Sequence, residues 1–233
     1  FQLDNSGEIP TFMTDTKGNV SEIAAAKRQF PIYPDSIYCM DRGYFDYGWF
    51  RRIDEKGAFF VTRLKERIRY QVVGQHRGFT GKGGIISDEI IQLANKEYPR
   101  WLRLVKFYDP KRDEVFDFLT NNLQLPGKVI ADIYKARWQI EAFFKWIKQN
   151  LKIKTFLGTS QNAVLTQIWA AMCYFLLLAY LKYQTKYAHS LYYLHRLIRA
   201  SLFLKLTFID LLNLTERRLG RVRDDDLQLQ LAF

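Results

Sequence analysis

The side chains whose types and spacing could do chemistry are Tyr134, Arg137, Glu141, Lys145 and Lys148, close together, and Asp41 far upstream. At about 100° per residue, a helix over residues 128–151 gathers the first five within roughly 80° of arc. Ile133, Ile140, Phe144, Ile147 and Leu151 form a separate apolar stripe of similar width. A solvated helix face accounts for such a pattern by itself, and Glu141 with Lys145 is then an ordinary i,i+4 pair worth a few tenths of a kcal/mol. The residue types also suit a narrower task. Carboxylate oxygens are the hard donors that Mg²⁺ takes. Arginine forks around a phosphate, and lysine meets it as a point charge. Asp41 follows the short apolar run at residues 36–40 and opens Asp41-Arg42-Gly43-Tyr44, so it reads as a strand-ending carboxylate.

The elements that must position these groups alternate in type, which predicts an α/β protein. A hairpin is expected from residues 1–4 and 11–14 around Asn5-Ser6-Gly7. A helix follows at 22–30, the strand at 36–40, a helix at 47–56 stopped by Gly57, and a buried strand at 58–62. Residues 65–122 change character, with strands at 70–73, 102–107 and 115–120 and a glycine-rich loop at 78–84, so a β-rich insertion is expected. From Pro126 the chain reads as helical: 128–151, 161–183, 190–204 and 208–214. The expected organisation is 1–64 core, 65–125 insertion, 126–215 catalytic helix with C-terminal helices, and 216–233 charged tail.

Hydrophobic residues make up 48% and aromatics 16% of the 233, enough to bury a core and too many for a disordered chain. Lys plus Arg exceed Asp plus Glu by 35 to 24, and the net charge of +11 favours a polyanionic partner. Cys39 and Cys173 sit among apolar neighbours and read as buried free thiols, which fits a reducing cytoplasm. No Cys/His group has zinc spacing, and no signal-peptide pattern is visible. Residues 163–181 are nearly all apolar and about long enough for a bilayer. The reading preferred here is a helix buried all round in a protein not bound to membranes.

Tyr134, Arg137, Glu141 and Lys148 match the Y-x2-R-x3-E-x6-K signature, and with the Asp-Arg-Gly-Tyr segment at Asp41 the chain resembles the insertion sequence 4 group of DNA transposases. The resemblance covers essentially the whole chain, including Phe143 to Lys154. It implies a ribonuclease-H-like mixed sheet flanked by helices, interrupted by a β-rich insertion, with an Asp-Asp-Glu triad. Glu141 would be the triad Glu and Asp41 the second Asp, both holding metal. Tyr134, Arg137 and Lys148, with Lys145 on the same face, would contact DNA. The implied cofactor is Mg²⁺ in a two-metal site, with Mn²⁺ as a substitute. The implied partners are double-stranded DNA, as transposon ends and target, and a second copy of the complete protein in a homodimer. The implied location is the bacterial cytoplasm, at the nucleoid.

The resemblance places the first triad Asp on a strand upstream of the hairpin. Asp4 and Asp15 fit turn roles better. The first strand, its Asp and an N-terminal DNA-binding region are therefore expected to be missing from this sequence, leaving a fragment that does not transpose alone. On the residues alone three other readings stay open: a non-catalytic basic DNA-binding module, a ribonuclease-H-like nuclease without strand transfer, and a membrane-attached protein using residues 163–181.

Overall fold

The computed structural model describes residues 2–4, 9–12, 20–95, 97–150 and 157–201, and the chain divides into two compact units, Phe1–Trp146 and Ile147–Phe233. In the first unit, β1 (Gln2–Asp4) pairs antiparallel with β2 (Ile9–Phe12) as a separate hairpin. The pairing of Asp4 with Ile9 starts the second strand two residues earlier than the sequence pattern suggests. Then come α1 (Glu22–Gln29), β3 (Ile37–Cys39), α2 (Tyr47–Glu55), β4 (Phe59–Arg63), β5 (Tyr70–Gln75), β6 (Ile85–Leu93), β7 (Trp101–Asp109), β8 (Glu114–Thr120), α3 (Gly127–Ala136) and α4 (Trp138–Asn150).

The strands from β3 onward form one six-stranded mixed sheet in the order β3-β4-β8-β7-β6-β5, consistent with a ribonuclease-H-like transposase fold. β3 and β4 run parallel, with Cys39 opposite Val61, and every other pairing is antiparallel. The β-rich segment is thus hydrogen-bonded directly to β4 through β8.

Alternation sends successive side chains to opposite faces, and both faces of the central strands are covered. On one face Phe60, Leu102, Leu104 and Leu119 pack with Trp49, Phe50 and Ile53 of α2. On the other, Val61, Val105, Phe116 and Phe118 pack with Ile130, Ala131 and Tyr134 of α3. Full burial of each such aliphatic or aromatic side chain contributes about 1.5–3 kcal/mol. Asp46 caps α2 by accepting from the Trp49 amide at 2.8 Å, and Gly57, with φ +70°, ends it in the left-handed region.

β6 is absent from the sequence reading because Ser87-Asp88-Glu89 breaks its apolar run. Asp88 and Arg103 are both buried, facing each other across β6 and β7. Arg103 Nε and Nη2 each donate to one Asp88 oxygen at 2.6 Å, and Nη1 donates to the Leu125 carbonyl at 2.5 Å. Asn122 accepts from the Gln124 and Leu125 amides, folding the loop that leads into α3. A Cβ on Gly127 would lie 2.9 Å from Asp88 Oδ2, so glycine lets the first turn of α3 close over the ion pair.

The single helix expected over 128–151 is two helices. The break falls at Arg137, where i→i+3 bonds (Arg137 N to Tyr134 O, Ile140 N to Arg137 O) replace the α-helical ladder. The helical projection across that break fails accordingly. Tyr134 is buried against Phe118, and in α4 the buried positions are Phe143 and Ile147, with Ile140 and Phe144 only half-buried.

In the second unit, α5 (Gln161–Thr185) packs on α6 (Leu191–Ser201), and Tyr174 shares a 2.9 Å hydrogen bond with His195. α5 is not buried all round. It buries Ala171, Met172, Phe175 and Leu178, while Trp169, Leu177, Tyr180 and Tyr183 are exposed. Among the described residues it is the one helix long and apolar enough to cross a membrane. The helix expected at 208–214, the tail at 216–233 and Asp15 lie outside the described residues.

Removing one partner of the Arg103–Asp88 pair leaves a buried unpaired charge, which typically costs about 3–5 kcal/mol. Arg103→Met and Asp88→Asn are each expected to lower the urea midpoint accordingly. The double replacement Arg103→Met/Asp88→Leu is expected to recover part of that loss.

Candidate active site

Asp41 lies just past the C-terminal end of β3. The parallel register carries beyond the strand: Met40 N donates to the Val61 carbonyl, and Thr62 Oγ1 donates to the Asp41 carbonyl at 3.3 Å. Asp41 Oδ1 accepts from the Gly43 amide at 2.8 Å and so caps the tight turn Arg42–Tyr44. Tyr44 holds that turn to α1 through Glu22, at 3.2 Å. Burial first, and then the charges of Glu22 and Asp41, push the Tyr44 hydroxyl pKa up.

The break between α3 and α4 comes to the same end of β3. Cys39 Sγ lies 3.5 Å from the Ile133 carbonyl. Arg137, at the break, makes a 3.0 Å ion pair with Glu141 one turn into α4. Burial works against the guanidinium charge, yet Tyr134, Glu141 and Asp41 outweigh it, and the pKa of Arg137 is raised. Arg137 is thus ion-paired with Glu141 and also feels the charge of Asp41.

Tyr134 sits beneath them with its ring 5.6 Å from the Arg137 guanidinium carbon. Burial raises its pKa against the opposing charges of Arg137 and Arg63. Lys145 and Lys148 are exposed further along α4. Glu141 and Lys145 are one helical turn apart, and Lys148 belongs to the second unit. The structure thus brings together Asp41, Tyr134, Arg137 and Glu141, with Lys145 on the helix that carries Glu141.

Sequence reasoning missed Arg63. It ends β4, beside the end of β3, and its guanidinium carbon lies 4.5 Å from the Phe116 ring centroid. The available signal was a charged residue directly after the buried run at 58–62. Two surface cavities of about 420 and 450 Å³ lie elsewhere, around Trp101 and Leu123. Neither is lined by Asp41, Arg137 or Glu141.

The family profile described as "Transposase DDE domain" matches residues 2–176. The chain belongs to the DDE transposase family. Over 181 residues, 75% of this chain, it is 39% identical to a Sinorhizobium fredii protein named as transposase y4zB. Over 149 residues, 63% of the chain, it is 34% identical to a Geobacillus stearothermophilus protein named as the transposase for insertion sequence element IS5377. A Synechocystis protein named as the transposase for insertion sequence element IS4SA is 27% identical over 147 residues, 62% of the chain. The matches span 50%, 39% and 40% of those relatives, so this DDE-family chain corresponds to half of their length or less.

Cys39 provides a local probe of this site. Burial pushes its thiol up to about 12, against the opposing charge of Arg137. The unfolded chain ionises first as pH rises past the ordinary thiol value of 9.0, so this group withdraws stability between there and about 12. Cys173, expected to be buried, is instead exposed on α5, so at about pH 8 a thiol reagent is expected to modify it quickly and Cys39 only after denaturant is added. Ellman titration with and without denaturant measures this directly.

Proposed function

We propose that this chain contributes Asp41 and Glu141, as two carboxylates of an Asp-Asp-Glu set, to a DNA transposase of the insertion sequence 4 type. The activity is hydrolysis of a phosphodiester at the transposon end, followed by attack of the freed 3′-hydroxyl on target DNA. The observation that supports this reading is that the helix segment leading to the Arg137–Glu141 ion pair packs on the end of β3 that runs into Asp41, with Cys39 Sγ 3.5 Å from the Ile133 carbonyl.

The donor chemistry fits a divalent cation. Asp41 and Glu141 offer hard oxygens, and the Glu141 side chain is 44% exposed. Among the described residues no cluster of three or more ligating side chains forms, so these two are a partial set. Mg²⁺, or Mn²⁺ in its place, would supply Lewis-acid activation of the attacking and leaving oxygens. Asp41 and Glu141 would hold it.

Arg137 pairs with Glu141 in this structure, and its planar fork also suits a phosphate oxygen pair. Tyr134 supports Arg137 from below. Lys145 adds positive charge on α4 one turn past Glu141, and Lys148, in the second unit, is a further DNA contact on this reading. Double-stranded transposon ends and target DNA are the substrates on this reading. A homodimer bridges the two ends in the bacterial cytoplasm.

Loading the chain with Fe²⁺ in place of Mg²⁺ and adding ascorbate and peroxide tests the metal site without any need for turnover. Scission of the polypeptide is expected near residues 41 and 141, with Asp41→Asn or Glu141→Gln weakening it at least about tenfold, as the loss of a metal-supporting group does. Scission scattered along the chain, or unchanged in both variants, would leave a basic DNA-binding module as the function.

A further inference from the structure

Arg63 and Arg137 stand on different elements, β4 and the α3–α4 break, yet both act on one hydroxyl. Each opposes the raised pKa of Tyr134. Both also carry a buried Nε with no hydrogen-bond partner, as does Arg42 beside Asp41. Two arginines converging on a phenol repel each other unless an anion lies between them or beside them.

The anion now nearest Arg63 belongs to the chain itself. Glu114, at the start of β8, reaches Arg63 Nη2 at 3.2 Å, and its side chain is 49% exposed. Arg63 is held from behind by the Phe116 ring, so the guanidinium plane is oriented while one edge carries only a half-exposed carboxylate. That geometry suits exchange of the carboxylate for a phosphate, which offers more oxygens to the same fork.

We infer that Arg63 is a positioning residue that holds one DNA backbone phosphate together with Arg137 over Tyr134, with Glu114 occupying its fork until DNA arrives. This inference rests on the reading of the Asp41–Glu141 site as a DNA site. It adds a cation from β4 to a set otherwise drawn from a single helical segment.

The test is binding of the chain to a short fluorescein-labelled DNA duplex by anisotropy, between about 50 and 200 mM KCl. Arg63→Gln is expected to weaken binding and to lower the slope of log affinity against log salt by about one, the signature of one lost phosphate contact. Arg51→Gln, a comparable loss of charge at an exposed pair on α2, is expected to leave the slope unchanged. Glu114→Gln is expected to tighten binding several-fold, and an unchanged affinity in that variant overturns the inference even if Arg63→Gln does not fold. A slope unaltered in folded Arg63→Gln overturns it as well. Fe²⁺-directed scission at residues 41 and 141 separates the two readings. Scission with an unaltered slope sinks only the role of Arg63. A lowered slope without scission keeps the phosphate contact and removes the metal site.

Discussion

A guanidinium and a carboxylate buried inside a sheet are costly to remove from water unless nearly every hydrogen bond is made. Arg103 and Asp88 meet that condition through two 2.6 Å bonds to each other and a further bond from Arg103 to the Leu125 carbonyl. The pair does more than join β6 to β7. It fixes the loop before α3, and Gly127 lets that helix start directly on the Asp88 carboxylate, where the helix dipole favours a negative charge. The line of α3 across the sheet, and hence where its far end arrives, follows from this anchor.

That far end is the break at Arg137. A continuous helix would have kept Tyr134 and Arg137 on one surface. Instead the tightened turn leaves Tyr134 packed on Phe118 and delivers Arg137 to the end of β3, where Asp41 emerges. The parallel pair β3–β4 completes the arrangement, since parallel strands end on the same side and so present Asp41 and Arg63 together. The candidate site is thus a meeting of three chain segments, the ends of β3 and β4 and the α3–α4 break, which share one face of the core around Val61, Phe118 and Tyr134.

Local pattern accounts well for the sheet and its flanking helices. The short apolar runs before Asp41 and after Gly57 are strands, and the helix between them begins at its Asp46 cap. β6 escaped notice because its polar centre is buried only through Arg103, a partner 15 residues away. α5 was misjudged for a related reason. Composition alone cannot distinguish a helix covered on every side from one that buries a single stripe, and here Trp169, Leu177 and Tyr180 are exposed.

Spacing put Arg137 and Glu141 side by side, because residues four apart on a helix are neighbours whatever the rest of the chain does, and the match to the family signature gave them their expected roles. Position after an apolar run marked Asp41 as a strand-ending carboxylate, and the resemblance made it a candidate for the triad. The convergence of Asp41 with Arg137, the burial of Tyr134 and the presence of Arg63 beside them were decided by tertiary structure. Each depends on contacts between residues far apart in the chain, from 16 positions for Phe118 and Tyr134 to 94 for Cys39 and Ile133, and these form only once the sheet sets strand ends and helix break side by side.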